Sequence, residues 1–346
     1  MSLITLTTDF GTKDHFVGAV KGAIYTELPD AKIVDITHEI TPFSITETAY
    51  ILKNSYKSFP KGTIHIVGVD SELSETNKHI ALELDEHFFI CPDNGLISMV
   101  ASEIKPKKIV EINIHDRIES SFPVLDVFVK VACHISRGGT LAVIGKEIQS
   151  FKQIVEIQPK VNQTQTKIIG GVIYIDNYGN IISNINKKMF SEIGKGRTFK
   201  VTASRYSFTK IFNKYNEIID REKENIHLYD GSRLAIFNSA GYLEIAVYRS
   251  NLKTVGGAST LLGLDYRDSI TIEFADVSVD VTSANNDTKV GSRGVLLKSV
   301  WNASSTGSGI VRVYLIHQPT NFNATNREGF GGFNDVSIDI PVSITD

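Results

Sequence analysis

Thr7-Thr8-Asp9-Phe10-Gly11-Thr12-Lys13-Asp14-His15-Phe16-Val17-Gly18 is the stretch on which the reading of this chain turns. Behind it, residues 3–7 form a short β-rich run, and ahead of it, apolar residues recur at three-to-four spacing through residue 27, the period of an amphipathic helix. A strand delivered into a helix through a loop of Asp, Thr and Gly is half of a β-α-β unit. In α/β folds, ligands bind outside the carboxyl end of such a strand. Asp9 or Thr12 has a plainer use, since short oxygen-bearing side chains satisfy the free N–H groups of a helix start.

The same alternation continues outward. Residues 32–36, 63–69, 80–84 and 109–112 read as strands, and 45–56 and 124–136 as helices, which implies an α/β N-terminal domain with a mainly parallel sheet over 1–157. The polar, aperiodic stretch 158–166, with Pro159 in it, reads as a linker. Short strands at 168–175, 181–185, 199–201, 234–237 and 243–247 then make a mostly β domain over 167–274. From 275 to 346 Asn, Ser, Thr and Gly dominate, and 277–281, 309–316 and 336–340 alternate apolar with polar residues, so this reads as a small β-rich extension of unknown role. Asn302-Ala303-Ser304 and Asn323-Ala324-Thr325 match the glycosylation sequon and read as chance in such a composition.

Composition sets the class. The 346 residues are 42% hydrophobic and 22% charged, which excludes a disordered or collagen-like chain. With 36 basic and 39 acidic residues, no single-sign field is expected, so nucleic acid is not an expected partner. Cys91 and Cys133 lie in apolar stretches without CxxC spacing, which fits a reducing cytoplasm. No histidine has metal-ligand spacing with a second His or Cys, so neither a metal nor another cofactor is expected. The start lacks a basic region followed by an apolar one, and no run of about 18 apolar residues occurs, so neither a signal peptide nor a membrane span is expected.

Three further fragments place Asp, Asn or Ser beside glycine: Cys91-Pro92-Asp93-Asn94-Gly95-Leu96, Ile175-Asp176-Asn177-Tyr178-Gly179-Asn180 and Phe237-Asn238-Ser239-Ala240-Gly241-Tyr242-Leu243-Glu244-Ile245-Ala246. Each alone is a turn with a positive-φ position. Asp9-Phe10-Gly11 also matches the metal-binding triplet of protein kinases, but too little chain precedes it for the glycine-rich loop and catalytic loop a kinase needs.

Taken together and in this order, the fragments resemble the S-adenosylmethionine (SAM) hydroxide adenosyltransferase family, which is related to the nucleophilic fluorinase and chlorinase. The resemblance spans residues 3–274. It implies a β-barrel-like second domain, a homotrimer, and SAM seated between the N-terminal domain of one subunit and the C-terminal domain of its neighbour. It also implies a reaction, displacement at the ribose C5′ that hydrolyses SAM to adenosine and L-methionine. Asp9 matches the ribose-binding aspartate, supported by Asp14, and a carboxylate can accept both hydrogens of a vicinal diol. Asp93 and Asn94 fall in the ligand-contact set. Asp176 matches the receiver of the methionine ammonium, Ser239 a carboxylate donor, Asn180 the adenine reader. Phe43 and Tyr178 stand where the family has rings near the ligand, although core packing is an alternative for both.

The chain departs from the family where water is handled. Asp70 matches the aspartate of the family's Asp-Arg-His triad, but the arginine position falls on Asn77 and the histidine position on Pro123. Val124 stands at the fluorinase's halide-binding serine, so the nucleophile pocket is expected to be more apolar than in either branch. Glu72, Lys78, His79 and Asp126 are the nearby residues able to replace the triad, although Lys78 and His79 also read as the solvated edge of a strand and Asp126 as a helix cap. Two other readings stay open: a SAM or adenosine sensor without turnover, and cleavage of SAM by a different nucleophile.

Overall fold

A chain that alternates strand and helix must cover both faces of its sheet, and the first unit does so. The computed structural model describes residues 3–101, 104–114, 120–220, 226–250, 252–253, 256–275, 310–315 and 336–341. The chain divides into two compact units, Met1–Ile157 and Gln158–Asp346.

The first unit runs β1 (Leu3–Thr8), α1 (Phe16–Glu27), β2 (Lys32–Thr37), α2 (Ile45–Ser55), β3 (Ile64–Gly68), β4 (His79–Leu84), β5 (His87–Pro92), α3 (Leu96–Ala101), β6 (Lys108–Ile112), a π-helical turn at Val124–Phe128, α4 (Val129–Ser136), α5 (Leu141–Ile144) and β7 (Gly145–Glu147). Its seven-stranded sheet has the order β2-β1-β3-β5-β4-β6-β7. Alternate residues of β3 serve opposite faces. Ile64 and Ile66 join Ile4, Leu6, Val20, Ile24 and Phe128 under α1 and α4, while Val67 joins Leu52, Leu82, Phe89 and Met99 under α2 and α3. Burial on both faces explains why β3 is buried along its whole length.

The expected mainly parallel sheet is present with an antiparallel part: β1, β2, β3, β5 and β6 run one way, and β4 and β7 run the other. Pairing is parallel across β2-β1-β3-β5 but antiparallel across β5-β4-β6-β7. The cause is a tight hairpin at Asp85-Glu86, both at positive φ (51° and 62°), the backbone form that matches strand twist in a two-residue turn. It folds β4 back between β5 and β6, so β4 starts at the end of the sheet where β3 stops.

The second unit contains β8 (Lys160–Val161), β9 (Lys167–Ile175), β10 (Ile181–Asn186), α6 (Lys187–Gly194), β11 (Phe199–Ala203), β12 (Tyr206–Phe208), β13 (Ile211–Phe212), β14 (Arg233–Phe237), β15 (Tyr242–Val247), α7 (Ala258–Leu262) and β16 (Ser269–Phe274). The stretch expected to be a linker, 158–166, carries β8, which pairs with β9. The nine-stranded sheet runs β12-β11-β16-β9-β10-β15-β14-β13 with β8 on β9. β9 spans the two halves: Lys167–Gly171 pair with β16, and Val172–Ile175 with β10. The strands at the two ends of the order, β12 and β13, are separated by only Thr209 and Lys210 in sequence. At most ~3.6 Å per residue can be spanned by extended chain, so the sheet must curl until its edges nearly meet. Its interior is filled by Ile168, Ile181, Val201, Leu243, Ile245, Ile270 and Ile272.

In the extension, β17 (Ile310–Leu315) and β18 (Val336–Pro341) pair antiparallel. The expected strand at 277–281 and both sequons lie outside the described residues.

Candidate functional site

Parallel strands deliver their carboxyl ends to one side of the sheet, and there the first unit gathers its polar side chains. Asp9 follows β1, Asp70 follows β3, and Asp93 and Asn94 follow β5, on three strands adjacent in the order β1-β3-β5. β1 sends the chain to β2 on one side and borders β3 on the other, which makes this the switch point where α/β folds bind ligands.

Asp9 does not cap α1. Its Oδ2 accepts the Phe43 backbone N–H at 2.9 Å, holding an exposed aromatic at φ 65°, and the α1 start at His15 has no side-chain cap. Thr12 is likewise spent elsewhere, donating to Glu39 Oε1 at 3.0 Å. With Gly11 N–H on His38 O at 2.7 Å and Thr8 Oγ1 on His38 Nδ1 at 2.7 Å, the loops after β1 and β2 are tied to each other. Asp14 stays exposed in its loop.

Asp70 sits at φ 48°, a conformation rare outside glycine and Asn/Asp. The turn it opens is held from inside. Asn77 Nδ2 donates to Asp70 O at 2.8 Å and to Glu72 O at 3.0 Å, and His79 Nε2 lies 2.9 Å from Ser71 O. A carbonyl only accepts, so this nitrogen of His79 carries the proton. His79 is not on a solvated edge: it is fully buried, since β4 is interior to the sheet, and its ring meets Phe128 edge-on at 4.8 Å.

Asn94, only 3% exposed, donates to Val69 O at 3.2 Å and accepts from Leu96 N–H at 3.2 Å, so it joins the end of β3 to the start of α3. Asp93 accepts from Lys152 N–H at 2.8 Å, and burial pushes its carboxyl pKa up. Gly95 has φ 96°, the positive-φ position that the Asn-Gly pair predicts.

Pro123 begins the π-helical turn, and Val124 behind it is fully buried against Gly68, where a Cβ would come within 2.7 Å of Val124 Cγ2. Phe10, Phe16 and Phe122 pack mutually, with ring centroids 5.3–5.9 Å apart. The wall beside the ends of β1 and β3 is therefore apolar. Asp126 does not cap the helix; its Oδ2 accepts from Ser120 Oγ at 2.6 Å.

The second unit has its own cluster. Asp176 Oδ1 accepts the Tyr178 and Asn180 N–H groups at 2.8 Å each, and Oδ2 accepts Asn180 Nδ2 at 3.0 Å, closing the loop between β9 and β10. Gly179 at its tip has φ 78° and lies where a Cβ would come within 2.8 Å of Gly257 Cα. Tyr178 is 65% exposed, and Ser239 is exposed on the turn that Asn238 closes between β14 and β15. Sequence reasoning missed Glu244. It is 2% exposed on β15, accepts from Tyr215 Oη at 2.6 Å, and its pKa is raised by burial and then by the Asp176 charge. The signal was available: a lone acid in Leu243-Glu244-Ile245-Ala246. Among the described residues, no three His, Cys, Asp or Glu side chains are placed to hold a metal ion.

Residues 4–145 match the family model for the SAM hydroxide adenosyltransferase N-terminal domain, and 170–271 match that for the C-terminal domain. The chain is similar to an (R)-S-adenosyl-L-methionine hydrolase of Methanocaldococcus jannaschii, 34% identical over 286 residues, covering 79% of this chain and 97% of that one. A fluorinase of an Actinoplanes species is 23% identical over 223 residues, covering 56% of this chain and 75% of that one. Among solved structures, an uncharacterized conserved protein from Thermotoga maritima superposes with TM-score 0.67 at 30% identity, covering 78% of this chain and 99% of that one.

Proposed function

The chain belongs to the SAM hydroxide adenosyltransferase family, and from that premise we propose that it binds SAM and hydrolyses it to adenosine and L-methionine by displacement at the ribose C5′. The observation that carries this reading is the gathering of Asp9 and Asp70 beyond adjacent parallel strands, beside an apolar wall. Sulfonium is a good leaving group and needs no acid. The protein has to place a water behind C5′ and exclude the rest of the solvent, which positioning and a dry wall accomplish. Asp9, with Asp14 near it, takes the ribose diol, Asp70 faces the water, and Phe43, Asp93 and Asn94 complete that side. Asp176, Asn180, Ser239 and Tyr178 take the methionine and adenine ends. The family resemblance implies a homotrimer with SAM between the first unit of one subunit and the second unit of another, and the reading adopts it. A cytoplasmic setting agrees with two buried free cysteines, and no described helix is long and apolar enough to cross a membrane.

Incubating the purified chain with SAM and separating the products by chromatography tests the reading. Adenosine and methionine in equal amounts are expected; SAM recovered intact from a protein that binds it would overturn hydrolysis. That outcome would leave a second reading, a SAM or adenosine sensor, which is favoured by Asn77 and Pro123 at the family's two water-handling positions. A C5′ product of another mass would instead identify a different nucleophile, which the apolar wall of Val124 and Phe122 favours.

A further inference from the structure

The turn that carries Asp70 leaves one polar atom unanswered. Asn77 Oδ1 is buried and has no hydrogen-bond partner. Its orientation is fixed, because the amide nitrogen already donates to the carbonyls of Asp70 and Glu72. Turning the amide over would set its oxygen against two other oxygens, and carbonyls cannot donate. A buried amide oxygen normally meets a donor, from protein, ordered water or ligand. His79 Nε2 already donates to Ser71 O, and no described residue donates to Asn77 Oδ1. The wall of Phe10, Phe122 and Val124 has no polar side chain to offer.

We propose that Asn77 Oδ1 accepts a hydrogen from a water held beside Asp70, and that this water is the nucleophile. The proposal rests on the hydrolysis reading above. Two acceptors, the Asp70 carboxylate and Asn77 Oδ1, take the two hydrogens of one water and leave its lone pair for C5′. The water oxygen bonds to C5′, and the C5′–S bond breaks with its electron pair leaving on the methionine thioether. The released proton passes to the Asp70 carboxylate and then to solvent. A pair of acceptors orients a neutral donor and repels an anion, so Asn77 also selects water over halide or azide. Asn77 is in this sense a catalytic residue, with its nitrogen serving the turn and its oxygen serving the water.

Two measurements on the full chain test this. A crystal structure that resolves ordered solvent is expected to hold a water about 2.6–3.2 Å from both Asn77 Oδ1 and an Asp70 carboxylate oxygen. An empty position there, or a protein donor on Oδ1, overturns the proposal without reference to turnover. In the second, SAM is cleaved in the presence of excess azide. The unmodified chain is expected to give adenosine alone, whereas Asn77→Ala is expected to lose about tenfold or more in kcat, keep its SAM dissociation constant within about threefold, and release some 5′-azido product. Loss of rate with unchanged product partition would reduce Asn77 to its turn-holding role and overturn the proposal. Absence of adenosine from the unmodified chain would sink the hydrolysis reading and the nucleophile assignment with it, while a bound water in the crystal would still report the hydration of Oδ1.

Discussion

The carboxylate of Asp9 and the backbone N–H of Phe43 are 2.9 Å apart, so one side chain fixes the main chain of an exposed ring that stands at φ 65°. On the proposed reading Asp9 would take a ribose diol in addition to holding Phe43. Asp9→Ala is expected to weaken SAM binding by about 10- to 100-fold, the size of a lost hydrogen bond to a charged group of ~1.5–3 kcal/mol. Titration calorimetry reads it, and an unchanged dissociation constant would remove Asp9 from the site.

Gly68 is required by its neighbour. A methyl group there would come within 2.7 Å of Val124 Cγ2, and both residues are buried. Gly68→Ala is expected to destabilise by about 1–3 kcal/mol, in the range of overpacked cores. Adding Val124→Ala should return part of the loss, because the added methyl then has room. Urea midpoints of the single and double variants check this, and simple additivity of the two losses would contradict it.

The first unit also carries a buried histidine pair. His65 Nδ1 is 2.7 Å from Thr5 Oγ1, and its Nε2 is 3.1 Å from His87 Nδ1. Burial, and then the His87 charge, lower the His65 pKa from 6.5 to about 3, and burial lowers that of His87 against the opposing pull of Asp85 and Glu86. The folded state therefore keeps His65 neutral while the unfolded chain protonates near 6.5. Its stabilising contribution is complete above that value and falls by up to ~1.4 kcal/mol per pH unit between there and about 3. Urea midpoints measured from pH 7 down to pH 4 should fall accordingly, and His65→Gln should flatten the slope. An equally steep slope in that variant would assign it to other groups.

Glu244 predicts the opposite sign. Its folded pKa is raised, by burial first, so its contribution is fully present below the ordinary value of 4.5 and is lost as pH rises through the raised one. At pH 8, Glu244→Gln is expected to cost less than about 1 kcal/mol or to stabilise, since a neutral amide avoids burying a charge. Tyr215→Phe should cost about 1 kcal/mol or more at low pH by removing the 2.6 Å bond. Thermal unfolding at pH 5 and pH 8 separates the two. A large loss for Glu244→Gln at pH 8 would mean that the carboxylate is bound as an anion.

Much of this was legible in the residues. The β-α alternation of the first unit follows from hydrophobic period, and Asn94-Gly95 announces its own positive φ. The hairpin at Asp85-Glu86 was not legible, because the pair lacks the glycine that usually marks a two-residue turn and the conformation is imposed by the pairing of β4 with β5 and β6. His79 misled for the same reason: Asn77-Lys78-His79 reads as solvated until β4 is known to be an interior strand. Asn77 could be recognised as a departure from the family, but its partners are main-chain carbonyls, which sequence does not display.

The reversed direction of β4 has a consequence for how such a site can change. In a wholly parallel sheet, residues that precede a strand arrive at the far side of the molecule from those that follow one. Here the stem that leaves β3 and the stem that enters β4 stand at the same rim, and Asn77 clasps them together at the base. The segment between is a cassette closed at one rim, so on the proposed reading its side chains, and with them the attacking molecule, can change while every strand and both hydrophobic layers stay as they are.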